Sequence, residues 1–338
     1  MERVAVATDV LSRAKRLVDP ALVAQLQTLH PDLRRAAEYH LGYVEADGTP
    51  AAGAGKGVRP ALALLSAEAV GAPAEVGIPA AVAIELMHDF SLLHDDIIDG
   101  DQQRRHRPTV WALFGIGQAI LVGDALQTLA HQVLLDQRTE AGIAAGHRLA
   151  TAVAEMIAGQ ADDMALESEE HVGVDECERM AAAKTGALLS CAAALGAELA
   201  GGDARAVDAL ADFGAHVGLS FQAVDDVLGI WGDPAITGKP VGSDLTSKKK
   251  TLPVAFAMAA SSDAARELQA MFRNGNLDEA AVRRATELVE GVGAREATEE
   301  FARAHLRAAV GALDADGLDP EITAQLRVIA EYVCERQL

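Results

Sequence analysis

The chain has 338 residues, half of them hydrophobic and 4% aromatic, which is enough apolar material for one large core or two ordinary ones. Its 29 basic and 50 acidic residues leave a net charge of −21. That charge repels phosphate backbones and anionic lipid, so general nucleic-acid or membrane-surface binding is not expected.

Ala and Leu dominate while Pro numbers 11, a bias toward helices. Helical periodicity runs from about Pro20 to the end, with no period-two stretch to compete. Residues 1–19 are expected to be loosely ordered. Predicted helices cover 20–44, 57–71, 75–101, 116–136, 141–169, 174–200, 203–232, 252–273, 277–291, 292–316 and 320–336. Breakers separate them: the loop 46–55 is rich in Gly, Ala and Pro, Gly201-Gly202 ends one helix, and a long break spans 232–253. The stretches 75–101, 174–200 and 203–232 are apolar around most of their circumference and read as central helices. Residues 254–338 are amphipathic and densely charged and read as an outer scaffold, so one all-α domain over 1–338 is expected. Cys177, Cys191 and Cys334 lack metal-ligand spacing and read as free thiols of a reducing compartment. The first ten residues show no secretory pattern, and the longest charge-free stretch, 108–123, is shorter than the roughly 18 residues a spanning helix needs. A cytoplasmic protein without stable membrane insertion is expected.

The first chemical signal is His94-Asp95-Asp96-Ile97-Ile98-Asp99 at the end of an apolar helix. Residues four apart share a helix face, so Asp95 and Asp99 stack while Asp96 lies about a quarter-turn round. Three carboxylates so close repel one another, and a divalent cation removes the conflict. All the candidate ligands are hard oxygens with no His or Cys at suitable spacing, which fits Mg²⁺ completed by water and phosphate. The pattern recurs in Phe221-Gln222-Ala223-Val224-Asp225-Asp226, again ending an apolar helix. Two such helices imply a central apolar cavity with a metal-binding mouth. Basic residues follow each motif: Arg104, Arg105 and Arg107 the first, Lys239 and Lys248-Lys249-Lys250 the second, with Lys56 and Arg59 opening another helix. Carboxylates for Mg²⁺ beside guanidinium and ammonium groups are what a diphosphate requires.

Taken in order, Gly55-Lys56-Gly57-Val58-Arg59-Pro60, 91–99 with Arg104-Arg105-His106-Arg107-Pro108-Thr109, Lys184-Thr185, and 221–226 with Gly238-Lys239-Pro240-Val241-Gly242-Ser243-Asp244 resemble the trans-polyprenyl diphosphate synthase family, of the short-chain geranylgeranyl and farnesyl type. The match in order and spacing covers about residues 50–255. The resemblance implies an all-α isoprenoid-synthase-type helical bundle, a homodimer, and head-to-tail condensation of an allylic prenyl diphosphate with isopentenyl diphosphate. It implies that Asp95, Asp96, Asp99 and Asp225 bind Mg²⁺ and that Arg104, Lys184 and Lys239 contact the allylic diphosphate. Lys56, Arg59, His88 and Arg105 are implied to hold the isopentenyl diphosphate. Thr185, Gln222, Asp226, Lys249 and Asp163 match further positions around the same site. The family's mechanism needs no protein nucleophile: diphosphate departs, the isopentenyl double bond attacks the allylic cation, and a proton is lost to the released diphosphate.

Two positions depart from the family pattern. Gly229 stands where the second motif usually has a third aspartate, and Gly57 stands where the glycine-rich motif usually has Arg or another residue. Asp233 lies too far along to replace the missing carboxylate by helical stacking. In this family, side chains one turn before the first motif floor the elongation cavity. Here these are Phe90 and Ser91, with Met87 a turn deeper. A bulky Phe90 beside a small Ser91, with no insertion between Asp96 and Asp99, favours a C20 product, geranylgeranyl diphosphate, with C15 as the alternative. The rival readings are a class I terpene cyclase, which has no need of Lys56, Arg59 and Arg105, and a weakly active partner subunit, which Gly229 would allow.

Overall fold

Helices follow the apolar periodicity almost from the first residue of the computed structural model, which describes residues 2–51, 53, 55–169, 172–234, 240–273 and 277–334. Helix α1 spans Glu2–Leu26 and lays Ala7, Leu11, Ala14, Val18, Leu22 and Leu26 into the interior, each at most 6% exposed. These residues are three or four apart and continue the stripe N-terminal to Pro20, so over residues 2–19 the loose order expected for 1–19 is corrected to helix, with Pro20 inside it. The predicted helix 20–44 is also corrected: it divides at Pro31, which opens α2 (Pro31–His40) at a first-turn position where its missing N–H costs nothing.

Downstream lie α3 (Val58–Ala69), a single 3₁₀ turn (Ala74–Gly77) and α4 (Ile78–Ile98). A hairpin of two-residue strands follows, β1 (Gln103–Arg104) and β2 (Arg107–Pro108), then α5 (Val110–Phe114) and α6 (Ile116–Leu135). Next come α7 (Glu140–Ser168), α8 (Val174–Ala181), a π-helical turn (Ala182–Gly186), α9 (Ala187–Leu199) and α10 (Ala204–Trp231). The C-terminal part comprises α11 (Ser243–Thr246), α12 (Leu252–Ala259), α13 (Asp263–Arg273), α14 (Glu279–Gly291), α15 (Ala294–Ala312) and α16 (Pro320–Cys334). The predicted helix 252–273 is two helices, because Ser261 and Ser262 interrupt it and the Ser262 hydroxyl accepts the Ala265 N–H at 3.1 Å to start α13.

Chain contacts sort into two compact units. The first contains Met1–Val153, Cys191–Ala211 and Leu313–Ile329. Its centre is α4, whose Val82, Ile84, Leu86, Met87 and Leu93 are at most 1% exposed on several sides of the helix. Small residues let backbones close up here: a Cβ on Gly196 of α9 would collide with the Ala63 carbonyl of α3. At the same contact the Ser66 hydroxyl accepts the Ala197 N–H at 3.2 Å.

The second unit contains Ala154–Ser190, Asp212–Ala312 and Ala330–Leu338. Ile230 of α10 packs there with Leu245, Val254, Ala257 and Met258, and Leu252 and Ala255 pack with Ala223, Val224 and Cys177. The inner faces of α12–α15 are therefore core. Charge lies on the outer faces of α13–α15, as in the Arg284 pair with Glu267 at 2.8 Å.

The stretches Ala74–Ile98 and Val174–Leu199 are long and apolar enough to cross a membrane, but 61% and 67% of their apolar windows are buried in the protein, as core helices require.

Candidate active site

In the first unit, the last turn of α4 separates the three acids as their angular spacing predicts. Asp95 is half-buried and Asp99, the C-cap residue, is exposed, with its N–H donating to the Asp95 carbonyl at 2.8 Å. Asp96 turns inward. It is 1% exposed, and its Oδ1 accepts from Arg104 Nε at 2.7 Å while its Oδ2 has no hydrogen-bond partner. Burial pushes the Asp96 carboxyl up from its usual range, and the Arg104 guanidinium pulls it back.

Arg104 and Arg105 reach this region on a feature no helical pattern reveals. β1 and β2 pair antiparallel, Arg104 opposite Arg107, leaving Arg105 and His106 as a two-residue turn with φ of 52° and 62°. Such turns normally use Asn-Gly, since left-handed backbone strains other residues. Arg107 anchors the hairpin by donating to the carbonyls of Tyr39 and Val44 at 3.2 and 2.8 Å, with its guanidinium 4.2 Å from the Tyr39 ring centroid. Strain of this kind persists when surrounding contacts over-determine it, and here it displays Arg105.

Arg105 lines a cleft of about 400 Å³, open mouth included, with Gly57, Lys15, Asp19, Glu85 and Asp89. Beside it are Arg59, half-buried with its Nε unpartnered, and His88, half-buried. Burial, together with Arg59 and Arg105, holds the His88 imidazole well below its usual range, so it is neutral at physiological pH. Sequence reasoning missed the acids here. Burial, reinforced by Asp89, pushes Glu85 up to about 7, and Asp89 lies 3.4 Å from His40. The signal was available: Glu85, His88 and Asp89 are the ionisable residues that interrupt α4 before its acidic end. Met87 is fully buried, Phe90 is 6% exposed with its ring 4.8 Å from that of His94, and the Ser91 hydroxyl donates to the His88 carbonyl at 2.8 Å.

In the second unit, the Lys184-Thr185 pair lies in the π turn, a local widening frequent at functional sites. Lys184 Nζ is 2.6 Å from Asp163 Oδ2 on α7. Here α7 approaches so closely that a Cβ on Gly159 would overlap the Lys184 backbone nitrogen. The Thr185 hydroxyl donates to Gln222 Oε1 at 2.7 Å, Gln222 Nε2 donates to Asp226 Oδ1 at 2.8 Å, and the Leu252 N–H donates to Asp226 Oδ2 at 3.0 Å. Asp226 is 7% exposed, and burial pushes its carboxyl up to about 7. Its Oδ2 ties α10 to the start of α12 and its Oδ1 holds Gln222 on α10 itself, whereas Asp225 is exposed.

Within the lysine run, Lys248 Nζ donates to the Phe272 carbonyl at 2.9 Å and the Lys250 carbonyl accepts from Cys177 Sγ at 3.0 Å, so these two are tied into the fold around a half-buried Lys249. Lys239 lies outside the described residues. At Gly229 the space a side chain would fill is taken: a Cβ there would overlap the carboxylate of Asp244.

Among the described residues, no three Asp, Glu, His or Cys side chains gather closely enough to hold a metal alone. The oxygens present nevertheless fit a Mg²⁺ that takes most of its ligands from phosphate and water. Asp95 and Asp99 stand one turn apart at an accessible helix end, and a buried Asp96 oxygen lacks a partner.

Residues 49–289 match the family described as Polyprenyl synthetase. The chain is 44% identical to a (2E,6E)-farnesyl diphosphate synthase of Mycobacterium tuberculosis over 335 residues, covering 97% of this chain and 93% of that protein. It is 41% identical to a geranylgeranyl diphosphate synthase of the same organism over 331 residues, with the same coverage. Among solved structures, a polyprenyl synthetase from Streptomyces coelicolor A3(2) superposes with a TM-score of 0.92 at 46% identity, over 97% of this chain and 99% of that one. A geranylgeranyl pyrophosphate synthase from Corynebacterium glutamicum, complexed with isoprenyl diphosphate and magnesium, superposes with a TM-score of 0.81 at 29% identity, over 98% and 99%. Because the matched segment contains the carboxylates, the arginine hairpin and the π-turn lysine alike, the chain belongs to the polyprenyl synthetase family and is a prenyl-transferring enzyme.

Proposed function

We propose that the protein condenses an allylic prenyl diphosphate with isopentenyl diphosphate, head to tail, and releases geranylgeranyl diphosphate. The observation that carries this reading is the order of groups along α4. The helix sets His88 beside the cleft, Asp95 about two turns and Asp99 about three turns further on, while one hairpin carries Arg104 beside Asp96 and Arg105 into the cleft. That is one helix serving two anions. A cyclase, which handles one diphosphate, has no use for the cleft. Gly229 does not force the partner-subunit reading, since Asp244 supplies a carboxylate at that place.

In this reading Lys56, Arg59, His88 and Arg105 hold the isopentenyl diphosphate, with neutral His88 donating one N–H. Arg104, Lys184 and Lys239 contact the allylic diphosphate, and Asp95, Asp96, Asp99 and Asp225 hold Mg²⁺. When bound, Mg²⁺ neutralises charge on the departing diphosphate. Asp96 fixes Arg104 and Asp163 fixes Lys184, so these cations are oriented before substrate arrives. Thr185, Gln222 and Asp226 position the π turn against α10, and Lys249 completes the basic edge.

Exposed Leu113, Ile116, Ile120 and Leu121 on α5 and α6 form the face on which a second copy packs in a homodimer. The three buried cysteines suit the cytoplasm.

Incubation with Mg²⁺, isopentenyl diphosphate and either geranyl or farnesyl diphosphate, with products resolved by length, tests the reaction and its product. C20 is expected. A hydrocarbon formed from the allylic substrate alone would indicate a cyclase. Phe90→Ala is expected to lengthen the product, and an unchanged C20 product would remove Phe90 from the floor of the elongation cavity.

A further inference from the structure

Lys15, on the N-terminal helix, is outside every motif described above, yet it lines the same cleft as Gly57 and Arg105. Its side chain lies in a slot formed by glycines. A Cβ on Gly57 would meet Lys15 Cγ at 2.9 Å, Nζ is 3.5 Å from the Gly55 carbonyl, and a Cβ on Gly53 would stand 3.7 Å from Nζ. The glycine-rich loop thus bares its backbone along a lysine stem. Around the ammonium the cleft is acidic, with Asp19, Glu85 and Asp89 all lining it. Asp19 accepts from the Tyr43 hydroxyl at 3.2 Å, and Asp89 lies 3.4 Å from His40. An anion entering beside these acids meets Arg105 and Lys15, the two cations that line the cleft itself. An ammonium has three donors, and the bond to Gly55 uses one.

We infer that Lys15 is a substrate-contacting residue, its ammonium binding the diphosphate of isopentenyl diphosphate from the side opened by Gly57. This rests on the reading of the cleft as the isopentenyl diphosphate site, so the test carries its own control.

Lys15→Met keeps the stem and removes the charge, whereas Lys15→Arg keeps both, and Arg105→Ala probes the cleft itself. Steady-state kinetics, thermal unfolding and calorimetric titration with isopentenyl diphosphate alone are measured on each full-length variant. Lys15→Met is expected to raise KM for isopentenyl diphosphate about 10-fold, with Lys15→Arg within about 3-fold of the parent, as for loss of one charge-assisted bond. KM for the allylic substrate and the melting temperature stay as in the parent. If Lys15→Met leaves the isopentenyl diphosphate KM and calorimetric affinity unchanged while Arg105→Ala weakens both, Lys15 is not a substrate contact and the cleft reading survives. Equal weakening toward both substrates, or a loss matched by Lys15→Arg, would likewise overturn the contact and leave Lys15 a packing role. If Arg105→Ala also changes nothing, the cleft reading itself falls.

Discussion

Glu85 occupies a helix otherwise committed to the core, and its position has an energetic signature. Burial and Asp89 hold its carboxyl near 7 in the folded chain, against an ordinary value of 4.5. Between those two pH values the folded protein keeps a proton that the unfolded chain has released. Stability therefore falls as pH rises through this window. Glu85→Gln removes the titration and is expected to flatten the fall by up to about 3 kcal/mol, read from thermal unfolding at pH 5 and pH 8. A Glu85→Gln variant whose melting temperature falls between those pH values as steeply as the parent's would refute the assignment. Residues of this kind were only half legible in the sequence. Asp95, Asp99 and Asp225 announce themselves as charges at the ends of apolar helices. Glu85, Asp89 and Asp19 look like ordinary acids until the cleft places them together, because no spacing rule joins α1 to the middle of α4.

Among the elements, long helices were legible because a dozen or more residues repeat one period, and burial of that stripe is what stabilises them. Two short elements were not. The arginine hairpin has strands of two residues and turn residues of the wrong type for its backbone, and the π turn spans five residues inside a helical pattern. Neither is long enough to carry a period, yet both present cations assigned to the site. The π turn makes a direct prediction. Gly159→Ala puts a methyl group into the backbone of Lys184 and is expected to cost about 1–3 kcal/mol in urea unfolding, with a fall in kcat as the Lys184–Asp163 pair is displaced. A variant as stable and active as the parent would show that α7 has room to retreat.

For the molecule as a whole, metal and fold are expected to be separable. Among the described residues the acids do not form a closed metal cage, and the interior is apolar side chains packed through alanine and glycine contacts. Chelation with EDTA is accordingly expected to abolish turnover while leaving the far-UV circular dichroism of the substrate-free enzyme unchanged, unlike proteins whose folding energy comes from a structural ion. Loss of helix on chelation would contradict this.

The overlap at Gly229 also bears on how this chain can vary over time. Residue 229 and residue 244 contend for one volume, so a side chain can be regained at the first only if the second shrinks or withdraws. The two positions are expected to change as a pair among descendants of this sequence, and a census of acids within the motif alone would misjudge which of those descendants still work.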